Sequence, residues 1–301
     1  MSINVEIIKE TAFRLISLAS TDLPGDVEMA LADAYKHEDN QIAQNQLKTI
    51  LENINLARSK GLSICQDTGV PMFFASLGLK CKIDGNPERS IVEAVKLATE
   101  RVPLRQNVIN PLTKKNSGTN TGWGIPHIHW EIDPEADYLE LTAVPKGFGS
   151  EMRAVQIWAL TSEDIGRVAV KTVLDVVESA MGEPCPPVII GVGIGGFADT
   201  SMYLAKRALF RSPIGKHSND KEAAALEREI LNAVNQLGLG PMGFGGKTYA
   251  LAVNVEISGS HTAVVPVSVI FQCWACRYST ARIYDNGEVV FITHERGAKE
   301  Q

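Results

Sequence analysis

Five cysteines are the residues of this sequence with the most distinctive potential chemistry. They are odd in number and scattered along 301 residues, at Cys65, Cys81, Cys185, Cys273 and Cys276. The N-terminus is charged and amphipathic and does not resemble an export signal, so the cysteines are better explained as reduced thiols or metal ligands than as disulfide partners. Cys273 and Cys276 form a C-x-x-C pair, but a structural zinc site would need a second pair or a histidine cluster at matching spacing.

A second interpretation takes one cysteine from each of three turns. Cys65 lies in Ile-Cys-Gln-Asp-Thr-Gly, Cys185 lies in Glu-Pro-Cys-Pro-Pro, and one member of the C-x-x-C pair supplies the third. Three thiolates from distant loops suit a cuboidal 4Fe–4S cluster that keeps one iron open. On the residues alone this remains one alternative among several, because lone cysteines are most often small buried apolar side chains.

Two glycine-rich segments imitate nucleotide-binding motifs. Residues 191–196 fit the dinucleotide-binding pattern G-x-G-x-x-G. That pattern also needs an acidic residue about twenty positions further on, at the end of the next strand, to bind a ribose. The apparent acid, Asp220, lies instead at the start of a helix, where a negative charge is favourable in itself. Gly246-Lys247-Thr248 lacks the required preceding glycine, since Pro241 stands there, and it leads into a strand. Either turn could offer backbone N–H groups to an anion, but tight turns around buried strands are the simpler interpretation.

The composition limits the classes of function. The chain has 29 basic and 35 acidic residues and a formal charge of −6, whereas a nucleic-acid-binding protein would normally carry a basic surface. No apolar run approaches the roughly 18 residues of a membrane span. We therefore expect a cytoplasmic protein that does not bind nucleic acid or membranes.

Hydrophobic periodicity outlines the elements that must position these residues. It predicts helix over residues 4–60, broken at Pro24-Gly25 and ended by Gly61, and further helices at 87–101, 162–181, 200–210 and 221–237. It predicts strands at 127–132 and 138–144, paired as a hairpin, and at 188–192, 249–257 and 263–271. A last hairpin, 281–284 with 289–292, is predicted around Asp285-Asn286-Gly287.

This order of elements predicts a mixed α/β (α+β) fold. We expect one domain over residues 1–301, with a helical N-terminal lobe at 1–60 packed on a mixed-sheet body at 61–301 that carries the cysteines. No repeat, low-complexity tract or long linker divides the sequence.

Seven segments in order resemble a known enzyme family over about residues 45–285, nearly the whole chain. They are CQDTGVPMFF, NTGWGIPHIHW, PKGFGSE, CPPVIIGVGIGG, GLGPMGFGGKTYA, SGSHTAVVPVS and CWACR. Together they resemble the class I, iron–sulfur fumarate hydratases and their L(+)-tartrate dehydratase relatives. The resemblance implies that Cys65, Cys185 and Cys273 hold a 4Fe–4S cluster. It leaves Cys81 as a structural residue and Cys276 as a non-ligand.

The same resemblance implies an active site for a small dicarboxylate. Asp67 would belong to the acid/base apparatus, where a turn cap is the alternative on residues alone, and Gln66 would contact substrate. Arg105 would pair with a substrate carboxylate, a task that suits the guanidinium fork. His261 would donate a proton or contact the hydroxyl, and Gly147 would let the backbone approach the substrate. Residues 120–122 would shape the same wall.

The resemblance implies a fumarate hydratase, which interconverts fumarate and malate. L(+)-tartrate dehydratase is the closest rival, although the Pro-Lys-Gly-Phe-Gly-Ser-Glu loop favours the fumarate form. A mesaconate or citramalate-type hydratase and a non-catalytic iron–sulfur sensor are further alternatives. The sequence stops soon after CWACR, and the family places further carboxylate-binding residues beyond that point. We therefore expect a separate β subunit that completes the site, in a hetero-oligomer or a dimer of such pairs.

Overall fold

The computed structural model describes residues 2–294 and confirms a mixed α/β fold. These residues form two compact units. The first unit comprises the described parts of 1–25, 53–147 and 277–301, and the second comprises 26–52 and 148–276. None of the helices within residues 2–294 combines the length and the apolar composition that a membrane crossing needs.

The N-terminal helices follow the predicted pattern except for a second break at residues 38–40, which the sequence did not predict. They are α1 (Val5–Thr21), α2 (Gly25–His37) and α3 (Gln41–Lys60). The side chain of Asn4 caps α1 by accepting the Glu6 N–H, and Gly61 follows α3 at a φ of +60°, a conformation that favours glycine. Because the two units divide these helices between them, the lobe expected at residues 1–60 stays a prediction.

A five-stranded sheet forms the frame of the first unit. Its strands are β2 (Val70–Gly78), β4 (His127–Asp133), β5 (Tyr138–Lys146), β10 (Ser279–Tyr284) and β11 (Val289–Phe291), in the order β11-β10-β5-β2-β4. The short strands β1 (Ile3–Asn4) and β3 (Ile83–Asp84) pair separately. The C-terminal hairpin of β10 and β11 is confirmed.

The predicted hairpin of β4 with β5 is wrong. Strand β2 lies between them, parallel to β4 and antiparallel to β5. It escaped prediction because a proline within a run argues against a central strand. Here Pro71 lies opposite Pro145 in the register, so the two residues that lack an N–H face each other.

The core of the first unit lies between this sheet and two helices. Helix α4 (Pro87–Arg101) has the predicted bounds and is capped by Asn86, whose side chain accepts the Arg89 N–H. Its apolar face and that of α1 bury against the sheet, with Ile8, Leu15, Ile91, Val95, Phe73, Leu139 and Leu141 at 0% exposure. Each such side chain contributes about 1.5–3 kcal/mol through burial, which makes the sheet a firm support for the turn that precedes β2.

The second unit contains a four-stranded sheet. The strands are β6 (Val155–Leu160), which the sequence did not predict, β7 (Val188–Ile194), β8 (Ala250–Ile257) and β9 (Val264–Gln272), in the order β6-β9-β7-β8. The helices are α5 (Phe148–Glu151), α6 (Ile165–Ala180), α7 (Ala198–Ala208) and α8 (Lys221–Gln236), with a 3-10 turn at Pro241–Gly243.

The glycines at 191–196 have a packing role. A Cβ at Gly191 or Gly193 would lie 2.0 Å from a backbone oxygen of α7, so both must be glycine for the helix to approach β7. The N–H groups of Gly195 and Gly196 donate to the carbonyls of Pro266 and Gly259. These donors are therefore engaged within the chain.

The second glycine-rich turn is held by carboxylates. The backbone N–H of Lys247 donates to Glu38 Oε2 at 2.8 Å, and Lys247 Nζ lies 2.6 Å from Asp39 Oδ2. A phosphate at this turn would meet negative charge. Asp220 caps α8 by accepting the N–H groups of Glu222 and Ala223, which agrees with its interpretation as an N-terminal charge.

Candidate active-site residues and thiol ligands

Asp67 lies in the turn between α3 and the central strand β2. Its Oδ1 accepts the Gly69 N–H at 2.9 Å, so Asp67 does cap the turn. Gly69 has a φ of +80°, and a Cβ there would lie 2.6 Å from the backbone of Pro145. The turn is thereby pressed against the end of β5, which places Asp67 beside the segment that contains Gly147.

A network of amide side chains joins this turn to the Arg105 segment. The Arg105 N–H donates to Thr68 Oγ1 at 3.0 Å, and the Arg105 carbonyl accepts Asn120 Nδ2 at 2.9 Å. Asn107 Nδ2 donates to the Gly69 carbonyl at 3.0 Å. The backbone of Arg105 is fixed on both sides, whereas its side chain is exposed, so the guanidinium is accessible to an anion.

Gly147 follows β5 and is buried close to Asp67. A Cβ placed on Gly147 would lie 3.3 Å from Asp67 Oδ2 and 3.1 Å from Arg277 Nη2. Any side chain would therefore press on a carboxylate and a guanidinium at once. The first unit thus brings together Asp67, the Arg105 backbone and Gly147, three of the residues selected from the sequence.

Cys65 and Gln66 precede Asp67 in the same turn. The Cys65 side chain is partly exposed and Gln66 is exposed. Cys81 lies between β2 and β3 and packs on the apolar core of the first unit. Burial, together with the charges of Asp137 and Asp285, raises the pKa of the Cys81 thiol. A raised pKa disfavours the thiolate form that binds metals, in agreement with a structural role for Cys81.

In the second unit, the segments of Cys185 and Cys273 lie side by side. The Trp274 N–H donates to the Cys185 carbonyl at 3.1 Å. Cys185 has a φ of +56°, which is uncommon for a residue with a side chain. The Met242 N–H donates to the Pro186 carbonyl at 2.9 Å, which holds the segment from its other side.

The two members of the C-x-x-C pair differ in exposure. The Cys273 side chain is partly exposed and its Sγ lies 3.7 Å from the Ala275 carbonyl, whereas Cys276 is 1% exposed. A tight turn separates them, in which the Cys276 N–H donates to the Trp274 carbonyl. Cys273 is therefore the member that is accessible to a ligand.

Cys65 of the first unit and Cys185 and Cys273 of the second unit are the thiols that the resemblance assigns to a cluster. Within residues 2–294, no three side chains of His, Cys, Asp or Glu are grouped as the ligands of one metal ion. A cuboidal cluster takes one thiolate per iron, so its ligands stand further apart than those of one ion. Cys65, Cys185 and Cys273 are all partly exposed thiols in fixed turns, and this donor set is compatible with such a cluster.

His261 lies in the exposed turn between β8 and β9. Its Nδ1 accepts the Ala263 N–H at 3.1 Å, which leaves Nε2 as the ring nitrogen that carries the proton in the neutral form. The side chain is exposed and can reach a ligand. Its proposed contact with substrate stays a prediction.

Sequence reasoning missed two buried cations beside Gly147. Arg277 is 1% exposed and Lys146 is 2% exposed. Arg277 Nη1 donates to the Asp67 carbonyl at 2.7 Å, and Lys146 Nζ donates to the Gly147 carbonyl at 3.2 Å. Both belong to segments that carry the resemblance, PKGFGSE and CWACR. Lys146 directly precedes the predicted site residue Gly147, whereas Arg277 follows Cys276, which was predicted to be a non-ligand.

Comparisons with known proteins place this chain in a family. The model of the fumarate hydratase (Fumerase) family matches residues 9–282. A protein of Methanocaldococcus jannaschii named "Putative L(+)-tartrate dehydratase subunit alpha" is 44% identical over 281 residues, 92% of this chain and 97% of that protein. The "L(+)-tartrate dehydratase subunit alpha" of Escherichia coli strain UTI89 is 31% identical over 97% of this chain and 95% of its own. The chain therefore belongs to the fumarate hydratase (Fumerase) family.

Proposed function

We propose that this chain is the iron–sulfur-binding α subunit of a hydro-lyase that reversibly hydrates fumarate to malate. Membership of the family supports the reaction type. The observation that carries the proposal is the grouping of the Asp67 carboxylate, the fixed Arg105 and the side-chain-free Gly147 in one network. A carboxylate, an accessible guanidinium and an open backbone are the groups that a small dicarboxylate requires.

Dehydration of malate removes a proton from one carbon and hydroxide from its neighbour. Cys65, Cys185 and Cys273 would hold a 4Fe–4S cluster, which when bound supplies a Lewis acid for the departing hydroxide. Asp67 would exchange the proton, and Arg105 would hold a substrate carboxylate through two parallel N–H bonds. Gly147 would let the backbone approach the substrate, since a side chain at this position would press on Asp67. No electron is transferred in this reaction.

Substitution of Arg105 by lysine should weaken catalysis although the charge is kept. Lysine lacks the bidentate fork, so we expect a loss of about 2–4 kcal/mol in transition-state binding. The measurement is kcat/KM for malate. Arg101→Lys serves as a control because Arg101 is an exposed arginine at the end of α4 and should keep its kcat/KM. An unchanged kcat/KM in Arg105→Lys would remove Arg105 from the site.

The substrate is tested by an anaerobic assay of the iron-loaded chain with its co-expressed partner. Malate, fumarate, both tartrates and mesaconate are compared, and we expect the highest kcat/KM on malate and fumarate. A preference for L(+)-tartrate would overturn the fumarate proposal while keeping the reaction type.

L(+)-tartrate dehydration is the second candidate function. It is favoured by the names of the relatives, which are 31% and 44% identical to this chain. Tartrate and malate are both 2-hydroxy dicarboxylates, so the same carboxylate, guanidinium and Lewis acid serve either. The difference lies in recognition of a second hydroxyl group.

A non-catalytic iron–sulfur sensor is the alternative from another class. A sensor has no need for an acid/base carboxylate and a carboxylate clamp beside its thiols. The two are separated by adding malate to the reconstituted protein and recording the electron-spin spectrum of the cluster. A sensor should give the same spectrum with and without malate.

A further inference from the structure

Arg277 is the largest fully buried side chain among the described residues. A buried guanidinium requires hydrogen bonds and a compensating charge. Its Nη1 donates 2.7 Å to the main-chain carbonyl of Asp67. Its Nη2 lies 3.1 Å from the point where a Gly147 Cβ would stand, and Asp67 Oδ2 lies 3.3 Å from the same point. The cation thus lies behind the Asp67 turn, on the side occupied by Gly147.

Other contacts also hold the Asp67 turn. Gly69 N–H and Asn107 hold Oδ1 of Asp67, at 2.9 Å and 3.5 Å. Thr68 is held by the Arg105 N–H. The Asp67 main-chain carbonyl accepts a hydrogen bond from Arg277, so the guanidinium helps to set the direction of the Asp67 peptide.

We propose that Arg277 is a positioning residue that fixes the Asp67 main chain and carboxylate, with Gly147 supplying the space for both. The inference rests on the proposed function, in which Asp67 exchanges the substrate proton. Arg277 is 1% exposed, and the inference assigns it no contact with substrate. Its effect is therefore on the placement of Asp67, and a misplacement of about 1 Å can lower a rate about a hundredfold.

Arg277→Lys, tested in the iron-loaded protein with its partner subunit, should lower kcat at least about tenfold. KM should change less than about threefold, because Arg277 does not bind substrate. Bound iron and the visible spectrum should stay at wild-type levels. Arg211→Lys is the matched control. Arg211 is also largely buried and is paired with Glu227 and Glu256, so its substitution should lower Tm and leave kcat unchanged.

A double-substitution cycle tests the shared space. Gly147→Ala should press on both Asp67 and Arg277 and lower kcat by itself. If the two residues act through one geometry, the effects of Gly147→Ala and Arg277→Lys should be clearly less than additive. Full additivity, a rise in KM at constant kcat, or loss of iron in Arg277→Lys would each overturn the positioning role.

Hydrogen exchange separates this proposal from the proposed function. Amides of residues 64–70, which include the Gly69 N–H bound by Asp67, should exchange faster in Arg277→Lys and at the wild-type rate in Arg211→Lys. Unchanged protection in Arg277→Lys would refute the role of Arg277. Absence of turnover by the wild type on every dicarboxylate would instead refute the proposed function, while the exchange result would still stand.

Discussion

Serine at Cys65, Cys185 or Cys273 is expected to abolish bound iron after anaerobic purification. A serine hydroxyl does not supply the thiolate that iron–sulfur clusters require. The three cysteines are partly exposed in fixed turns, so each substitution should leave the fold intact. The measurements are iron and sulfide content and the visible spectrum, with circular dichroism to verify folding.

Cys81 and Cys276 provide the controls for this experiment. The pKa of Cys81 is raised by burial, and Cys276 is 1% exposed. Cys→Ser at either position should leave most of the iron, with some loss of stability. Iron loss at Cys276 as large as at Cys273 would move the site toward the C-x-x-C pair and refute the ligand assignment.

The iron-loaded chain alone is expected to turn over malate at least about 10²-fold more slowly than with the proposed β subunit. A substrate dianion needs cations at both ends, and removal of a preorganised electrostatic contact commonly costs 10²–10³ in rate. In the proposed function, Arg105 supplies one clamp. Arg277 is buried and donates to the Asp67 main-chain carbonyl, so we do not expect it to serve as the second carboxylate clamp. The partner would also exclude water from the site.

The measurement is anaerobic turnover before and after addition of the purified partner. The control adds the partner to the Cys185→Ser chain, which is expected to lack iron. It should give no turnover, because activity should require both the iron-loaded chain and the partner. Full turnover by the isolated wild-type chain would show that the second carboxylate clamp lies within this chain.

The local elements were predictable because local rules decide them. Helix α4 begins after the Asn86 cap with proline in its first turn, and both signals are visible in the sequence. Strand β2 was hidden by Pro71, and its position between β4 and β5 depends on pairing with residues 55 to 76 positions away. Sequence periodicity does not report such pairing, so the wrong hairpin was predicted.

The candidate site was predictable only in part. The resemblance identified Asp67, Arg105 and Gly147, and the structure of the first unit brings them together. Arg277 was missed because its importance depends on burial and on a contact with a residue 210 positions earlier. A basic residue in a motif indicates that a positive charge is present. Which peptide carbonyl its side chain contacts depends on the tertiary structure.

The order of the strands along the chain has a consequence for biosynthesis. Strand β10, which pairs with β5, and Arg277, which holds Asp67, both follow the last residue of the second unit. During translation the second unit has all of its residues before the ribosome makes these segments. The frame around Asp67 therefore closes last, after the turns of Cys185 and Cys273 have been synthesised. Until then, the edge of β5 that pairs with β10 has no partner strand, and such an edge can pair with another chain and aggregate.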